Sequence, residues 1–219
     1  MKKAFTMLEF LIVLLIIGIL SVAIVPSMKS NKLREAAVQV VSHIKYTQHL
    51  AMVDDQFDTT TTDWYKKRWQ IIFANYTHKN PTVKTNVAYS IFSDTSLSGK
   101  PDLSEIAKDT SDLNSILSGG HSNLDDVNYN DLNAKLSLSD TYGVIDYDLK
   151  GGCSKYSNSR ISFDHFGRPM FGDISSMDGP YEDSYNRLVT EQCLIVLSTV
   201  DDSITIAVEP ETGYAHILD

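Results

Sequence analysis

The sequence begins with a long apolar run that contains one carboxylate, in the stretch KKAFTMLEFLIVLLIIGILSVAIVP. No residue from Phe10 to Val25 is charged, whereas Glu9 lies near the start of the run. Counted from Phe5, the run would form a helix about 31 Å long, which matches a bilayer core of about 30 Å. A carboxylate in hydrocarbon costs roughly 2 to 3 kcal/mol, so Glu9 requires an explanation.

Three interpretations of this segment give Glu9 no role. Residues 21–23, Ser-Val-Ala, supply the small-x-small pattern of a cleaved secretory signal peptide. A simple membrane anchor is the second interpretation and a buried core helix is the third. The core helix is disfavoured because Lys2 and Lys3 precede so long an uncharged run. The same two lysines predict a cytoplasmic N-terminus and export of the remaining chain.

A fourth interpretation does use the glutamate. The stretch resembles the N-terminal signature of type IV prepilins and type II secretion pseudopilins. The resemblance implies that prepilin peptidase cleaves between Ala4 and Phe5 and methylates the new amine of Phe5. Glu9 then becomes the fifth mature residue, where this family carries its glutamate. Gly18 and Pro26 fall at the positions that make the family's helix flexible, and Ala4 replaces the commoner glycine.

Glu9 is therefore predicted to be an assembly residue. Cleavage would create a positive amine at Phe5, and buried opposite charges are tolerated when they are paired. The resemblance implies that Glu9 of an incoming subunit neutralises the Phe5 amine of its neighbour in the growing filament. Pairing with its own amine, one helical turn away, is the alternative, and both arrangements can operate in turn.

The resemblance implies an α+β, type IV pilin-like fold, in which a long N-terminal helix with a membrane half and an amphipathic half packs on an antiparallel β head. A helix to about Val53 is also predicted by apolar residues that recur every three or four positions: Leu33, Ala37, Val40, Val41, Ile44 and Ala51. The expected parts are a leader (1–4), a transmembrane and filament-core helix (5–26), an amphipathic half (27–53) and a periplasmic head (54–219) with a loop-rich insertion at about 97–142.

Strands in the head are predicted from segments rich in β-branched and aromatic residues. These segments are 68–77, 86–94, 159–171, 192–199 and 203–218, the last with two strands around the turn EPETG. One short helix is predicted within the insertion, at Leu103 to Ala107. The stretches ISFDHFGRP (161–169) and ITIAVEPETGYAHI (204–217) also resemble the C-terminal half of H-type minor pseudopilins and their FimT-like relatives.

Cys153 and Cys193 are the two cysteines of the chain. In a cytosolic protein they would be two unrelated thiols, whereas in an exported domain they would pair. Closing this loop would contribute about 4 kcal/mol in the chain-entropy model. Because the N-terminus predicts export, a Cys153–Cys193 disulfide is predicted.

The stretch DTSLSGKPDLSE, residues 94–105, has the spacing of a calcium loop, with Gly99 at the tight turn. Two of the candidate ligands are neutral hydroxyls, and an ordinary acidic surface loop is the alternative. No other cofactor is predicted, and the similar stretch at 125–133 lacks the glycine. The candidate ligands are Asp94, Ser96, Ser98, the backbone carbonyl of Lys100, Asp102 and Glu105.

Composition and motifs do not favour nucleic-acid binding or catalysis. The formal charge of −9 argues against a nucleic-acid-binding surface, which is normally basic. The sequence contains no H-E-x-x-H motif, no nucleophile elbow and no phosphate-binding glycine loop, so no enzymatic activity is predicted.

The predicted function is that of a structural subunit, a minor pseudopilin or minor pilin of a type II secretion or type IV pilus-like filament. The resemblance implies a single-pass protein of the bacterial inner membrane, with a cytoplasmic N-terminus and a periplasmic head. Its implied partners are other pilins or pseudopilins, prepilin peptidase and the inner-membrane assembly platform. The alternatives are a DNA-receptor minor pilin for natural transformation and a membrane-tethered periplasmic binding module or enzyme.

Overall fold

The fold combines one long helix with two antiparallel sheets. A computed structural model describes residues 7–77, 86–124, 131–155, 159–181 and 187–218, with the side chains of 20–31 left out. The helices are α1 (Met7–Val53) and α2 (Leu138–Tyr142). The strands are β1 (Trp69–Tyr76), β2 (Asn86–Ser93), β3 (Asp146–Gly151), β4 (Arg160–Phe163), β5 (Pro169–Phe171), β6 (Cys193–Ser198), β7 (Ser203–Val208) and β8 (Ala215–Leu218).

The C-terminal half of α1 is amphipathic, and its apolar face is buried. Glu35, Lys45 and His49 lie on its exposed side. The helix ends where the Asp- and Thr-rich segment after Val53 favours turns over helix interior. The buried positions of the stripe are Leu33, Ala37, Val40, Ile44 and Ala51, while Val41 is partly buried against the same core.

The two sheets share this helix as a common core element. The first sheet has the order β2-β1-β4-β5, and the second has the order β3-β6-β7-β8. In the first, Ile71 pairs with Ile91 across β1 and β2, and in the second, Ile195 pairs with Ile206 across β6 and β7. All four side chains are fully buried in one cluster with the α1 stripe. The helix therefore supplies the apolar surface that both sheets cover.

The side-chain amide of Gln48 on α1 hydrogen-bonds to one turn of each sheet. Gln48 Nε2 donates a hydrogen bond to the carbonyl of Gly167 at 2.8 Å, in the β4–β5 turn, and one to the carbonyl of Thr212 at 2.7 Å, in the β7–β8 turn. Gly213 follows with a φ of 63°, and a Cβ there would lie 2.6 Å from both Gln48 Nε2 and the Gly167 carbonyl oxygen. A glycine is thus required at this point of closest approach.

The segment between β2 and β3 covers the first sheet. Isolated bridges pair Ser90 with Ser118 and Phe92 with Ile106, so the outer edge of β2 is occupied. Every residue of β2 is buried as a consequence. A second apolar cluster lies under this segment and contains Ile72, Phe92, Ile106, Ile116 and Leu124.

The structure corrects the predicted fold class, an α+β, type IV pilin-like fold in which a long N-terminal helix with a membrane half packs on an antiparallel β head. The head contains two separate antiparallel sheets. The physical reason is that the insertion occupies the free edge of β2, so β3 cannot pair there. Instead, β3 pairs with β6, for example Leu149 with Ile195.

The predicted membrane half and the single-pass inner-membrane location are corrected as well. No helix in the described part of the chain is both long enough and apolar enough to cross a membrane.

Among the predicted strands, segments 68–77, 86–94 and 192–199 each contain one strand, and segments 159–171 and 203–218 each contain two. The strand β3 was not predicted, because its sequence DYDLKG is polar and only Leu149 is buried. The short helix predicted at 103–107 is a 3-10 turn over Leu103–Glu105.

Exchanging Gly213 should measure how closely α1 and the turns must approach. Gly213→Ala should lower the free energy of unfolding by about 3 kcal/mol, since left-handed backbone strain adds to overpacking against Gln48 and Gly167. Gly143→Ala is the matched control, because its φ of 76° is also positive but nothing lies within 4 Å of its Cβ position. Urea unfolding followed by circular dichroism makes the comparison, and equal losses for the two variants would contradict this account of the contact.

A half-buried histidine should make stability depend on pH. His43 Nδ1 on α1 lies 2.8 Å from the Tyr89 hydroxyl on β2. Burial lowers the pKa of His43 from 6.5 to about 4; the charge of Asp109 partly opposes this shift, and Lys135 adds to it. The unfolded chain thus binds a proton at higher pH than the folded chain does. This contribution to stability is complete above about pH 6.5 and falls by about 3 kcal/mol as the pH approaches 4.

His43→Asn should flatten this part of the pH profile. The asparagine side chain can still bind the Tyr89 hydroxyl but does not titrate. Urea unfolding at several pH values between 4 and 7 should show a smaller loss of stability for the variant than for the original chain. Two parallel profiles would show that His43 does not titrate as described.

Candidate assembly segment and acidic loop

The N-terminal part of α1 is exposed on every side. Each residue from Met7 to Ile19 is exposed to solvent, in contrast to the stripe from Leu33 onward. Met7 is 84% exposed, Phe10 61% and Ile19 64%. Apart from Glu9 and Gly18, this assembly segment (residues 7–19) carries only large apolar side chains.

The predicted processing and assembly residues lie in or near this segment. Glu9 is exposed in the first turn of α1, between two apolar neighbours. No atom lies within 4 Å of the ideal Cβ position of Gly18. Ala4 and Phe5 lie outside the described residues, as does the side chain of Pro26. Cleavage, methylation and helix flexibility therefore stay predictions.

The disulfide prediction is confirmed. Cys153 and Cys193 are bonded, with their Cα atoms 5.0 Å apart, and neither is exposed to solvent. The bond ties the chain just after β3 to the first residue of β6, next to the pairing of Gly151 with Cys193. The disulfide thus fixes β3, the edge strand of the second sheet, which was not predicted from the sequence.

The carboxylates of the predicted calcium loop accept hydrogen bonds from N–H and O–H groups of the loop itself. Both carboxylate oxygens of Asp94 accept backbone N–H groups, from Ser98 and Gly99, each at 2.9 Å. Asp94 is fully buried, and this burial raises the pKa of its carboxyl group. The hydroxyl of Ser98 donates to the carbonyl oxygen of Lys100 at 2.9 Å, so this proposed ligand is also engaged.

Glu105 and Asp102 bind donors on the other side of the loop. Glu105 Oε1 accepts the hydroxyl of Thr95 at 2.9 Å and the backbone N–H of Ser96. Asp102 Oδ2 accepts the Ser96 hydroxyl at 3.0 Å, and its Oδ1 accepts Asn123 Nδ2 at 2.6 Å. Asp102 and Glu105 also form a capping box on the short 3-10 turn. These bonds would have to break before the oxygens could converge on a cation.

The geometry therefore favours the ordinary acidic loop over a calcium site. In the part of the chain that the structure describes, no group of three or more His, Cys, Asp or Glu side chains is placed to hold a metal ion. The weaker candidate at 125–133 lies mostly outside the described residues. The loop also packs on the segment after β5, because the Cβ position of Gly99 lies 2.9 Å from Ser175 Oγ.

Sequence reasoning missed a second group of residues, at the C-terminal end of α1. Phe57 and Phe166 lie far apart in the sequence, yet both are exposed near that end of the helix. A buried cation, Arg68, lines the same cleft as Asp54 and His165. Its guanidinium lies 5.4 Å from the Trp64 ring centroid and 4.8 Å from that of Tyr181. No periodicity or motif in the sequence links these positions.

The loop chemistry can be tested through stability. Asp94→Ala should lower the free energy of unfolding by about 2 to 3 kcal/mol, because it strands two backbone N–H donors. Ser96→Ala is the control, since that exposed hydroxyl is replaced by water at little cost. The melting temperature of the original chain should not change when calcium is added. A calcium-dependent rise that Asp94→Ala abolishes would establish the metal site instead.

Comparisons with known proteins add no relative to these observations. No protein-family model matches the chain, and no match to it is found among curated proteins or solved structures. The N-terminal resemblance therefore depends on the residues of the segment alone.

Proposed function

We propose that this chain is a structural subunit of a filament of the type II secretion or type IV pilus-like class, as a minor pseudopilin or minor pilin. Subunits would associate through the assembly segment of α1. The role is structural, so the proposal assigns no catalytic residue. The observation that carries it is the exposed surface of residues 7–19, which is apolar except at Glu9 and Gly18.

The extent of this surface favours several neighbours over one. Soluble monomers rarely expose contiguous apolar patches larger than a few hundred Å². From Phe10 to Ile17 every residue is apolar and exposed. Successive helical residues are 100° apart, so these side chains point in all directions around the helix axis. A single partner helix would cover one stripe, whereas a bundle of neighbouring subunits covers the whole circumference.

Glu9 would place a negative charge inside such a bundle, and this charge requires a cation nearby. A carboxylate enclosed among apolar helices is stable when a cation pairs with it. The amine that cleavage after Ala4 would create at Phe5 of a neighbouring subunit would supply a cation for this pairing. This pairing would fix the axial position of one subunit against the next.

Glu9→Val should block incorporation into filaments while leaving the head folded. The substitution leaves a neighbour's amine without its carboxylate, which costs about 3 to 5 kcal/mol in a buried site. The amount of subunit in the isolated filament fraction should fall by more than about tenfold. Mass spectrometry of the mature N-terminus should show an N-methylated Phe5 in both proteins, which separates assembly from processing.

Glu35→Val is the matched control, since Glu35 is an exposed glutamate on the same helix but lies outside the assembly segment. It should enter filaments at the original level. Normal incorporation of Glu9→Val, or an equal defect in both variants, would contradict the proposed role. A mature chain that begins after Ala23 would identify a signal peptide and refute the filament proposal.

A further inference from the structure

We propose that the C-terminal end of α1 carries a docking surface for a partner protein that presents lysine or arginine between large apolar side chains. This distal surface consists of Met52, Val53, Asp54, Asp55, Phe57 and Phe166. It is separate from the assembly segment and gives the folded head a binding role of its own.

The distal surface is continuous although its residues come from two parts of the chain. Met52 Sδ lies 3.1 Å from the Cβ position of Gly167, which follows Phe166 in the β4–β5 turn. Gln56 and His165 line one small cleft of about 10 Å³. The end of α1 and the β4–β5 turn therefore meet, and the cleft marks their junction.

Four large apolar side chains of the distal surface are exposed. Met52 is 47% exposed, Val53 63%, Phe57 57% and Phe166 67%. Scattered exposed apolar residues are normal on soluble proteins, whereas a contiguous group with a polar rim marks an interaction site. Large aromatic side chains contribute much of the binding energy in such interfaces.

The charges at the distal surface select a cationic partner. Asp54 and Asp55 are exposed and line the cleft, and Asp58 follows one residue after Phe57. Asp54 Oδ2 accepts hydrogen bonds from two neutral donors, Trp69 Nε1 and Gln56 Nε2, each at 2.8 Å. Within the described residues no lysine or arginine forms a salt bridge with Asp54 or Asp55, whereas the charge of Lys67 acts on Asp58. The negative charge that is open to a partner therefore lies mainly on Asp54 and Asp55.

The nearby cations do not cancel this charge at the surface. Arg68 lines the cleft but is only 3% exposed, because it is enclosed between two aromatic rings. Arg168, which lies over the Phe166 ring, is paired with the Asp164 carboxylate at 2.8 Å. The whole chain carries a formal charge of −9. At the distal surface, a partner with basic side chains is therefore favoured over one of like charge.

Both tryptophans of the chain report on this surface. The Trp64 ring packs edge-on against Phe57 at 5.1 Å between centroids, and Trp69 donates to Asp54. The chain contains no other tryptophan. Intrinsic tryptophan fluorescence should therefore respond to occupation of the distal surface.

The test titrates the full-length chain with a capped peptide that alternates lysine with phenylalanine and leucine. A peptide of the same length with glutamate in place of each lysine is the probe for non-specific apolar adsorption. The lysine peptide should change the tryptophan emission in a saturable manner that weakens with added salt. The glutamate peptide should bind at least about tenfold more weakly, as expected for the loss of two or more charge pairs.

Variants locate the binding. Asp54→Asn combined with Asp55→Asn keeps the hydrogen-bond acceptors of the loop and should weaken the lysine peptide about tenfold. Phe166→Ser should weaken it as well. Val200→Ser with Asp201→Asn is the matched control, since Val200 is 82% exposed beside an exposed aspartate in the β6–β7 turn. No saturable change with the lysine peptide, equal binding of both peptides, or unchanged binding by the distal variants would overturn the proposal.

Discussion

The structure depends on the burial of one face of α1 by two sheets at once. Neither sheet alone covers the stripe from Leu33 to Ala51, because β1 and β4 contact it from one sheet and β7 and β8 from the other. Each fully buried aliphatic side chain contributes about 1.5 to 3 kcal/mol. The amide of Gln48 then fixes the orientation, since it binds one turn from each sheet. Any change that displaces α1 therefore loosens both sheets.

This shared helix explains how the head can present two different surfaces. At one end of α1 the sheets no longer cover the helix, and the assembly segment is left with apolar side chains on all sides. At the other end, the β4–β5 turn contacts Met52. The carboxylates of Asp54 and Asp55 lie near the exposed rings of Phe57 and Phe166. Apart from Glu9, the assembly segment has no charged side chain that could discriminate between partners. The distal surface combines charge with apolar area and is suited to selective binding.

Local patterns in the sequence predicted the buried stripe, the apolar strands and the disulfide. The three-and-four spacing identifies the face of α1 because only one face of a helix meets a core. The division into two sheets could not be predicted, since it follows from the insertion bridging to β2 through residues such as Ser118, which carries no strand signal. Similarly, β3 is recognisable only through its pairing with β6. The spacing of residues 94–105 indicated a calcium site. In the structure, the buried Asp94 instead accepts hydrogen bonds from backbone N–H groups. The spacing of residue types does not show whether a carboxylate will bind such N–H groups or a metal ion.

The central claim is that residues 7–19 are exposed in the single chain and become buried when subunits associate. Leu14→Cys places one thiol in the middle of this segment, where the original side chain is 50% exposed, while the two native cysteines stay in their disulfide. A thiol-reactive label should modify this position in the isolated chain and fail to modify it in filaments, whereas Val200→Cys should react in both. Equal labelling of Leu14→Cys in the two states would contradict the account.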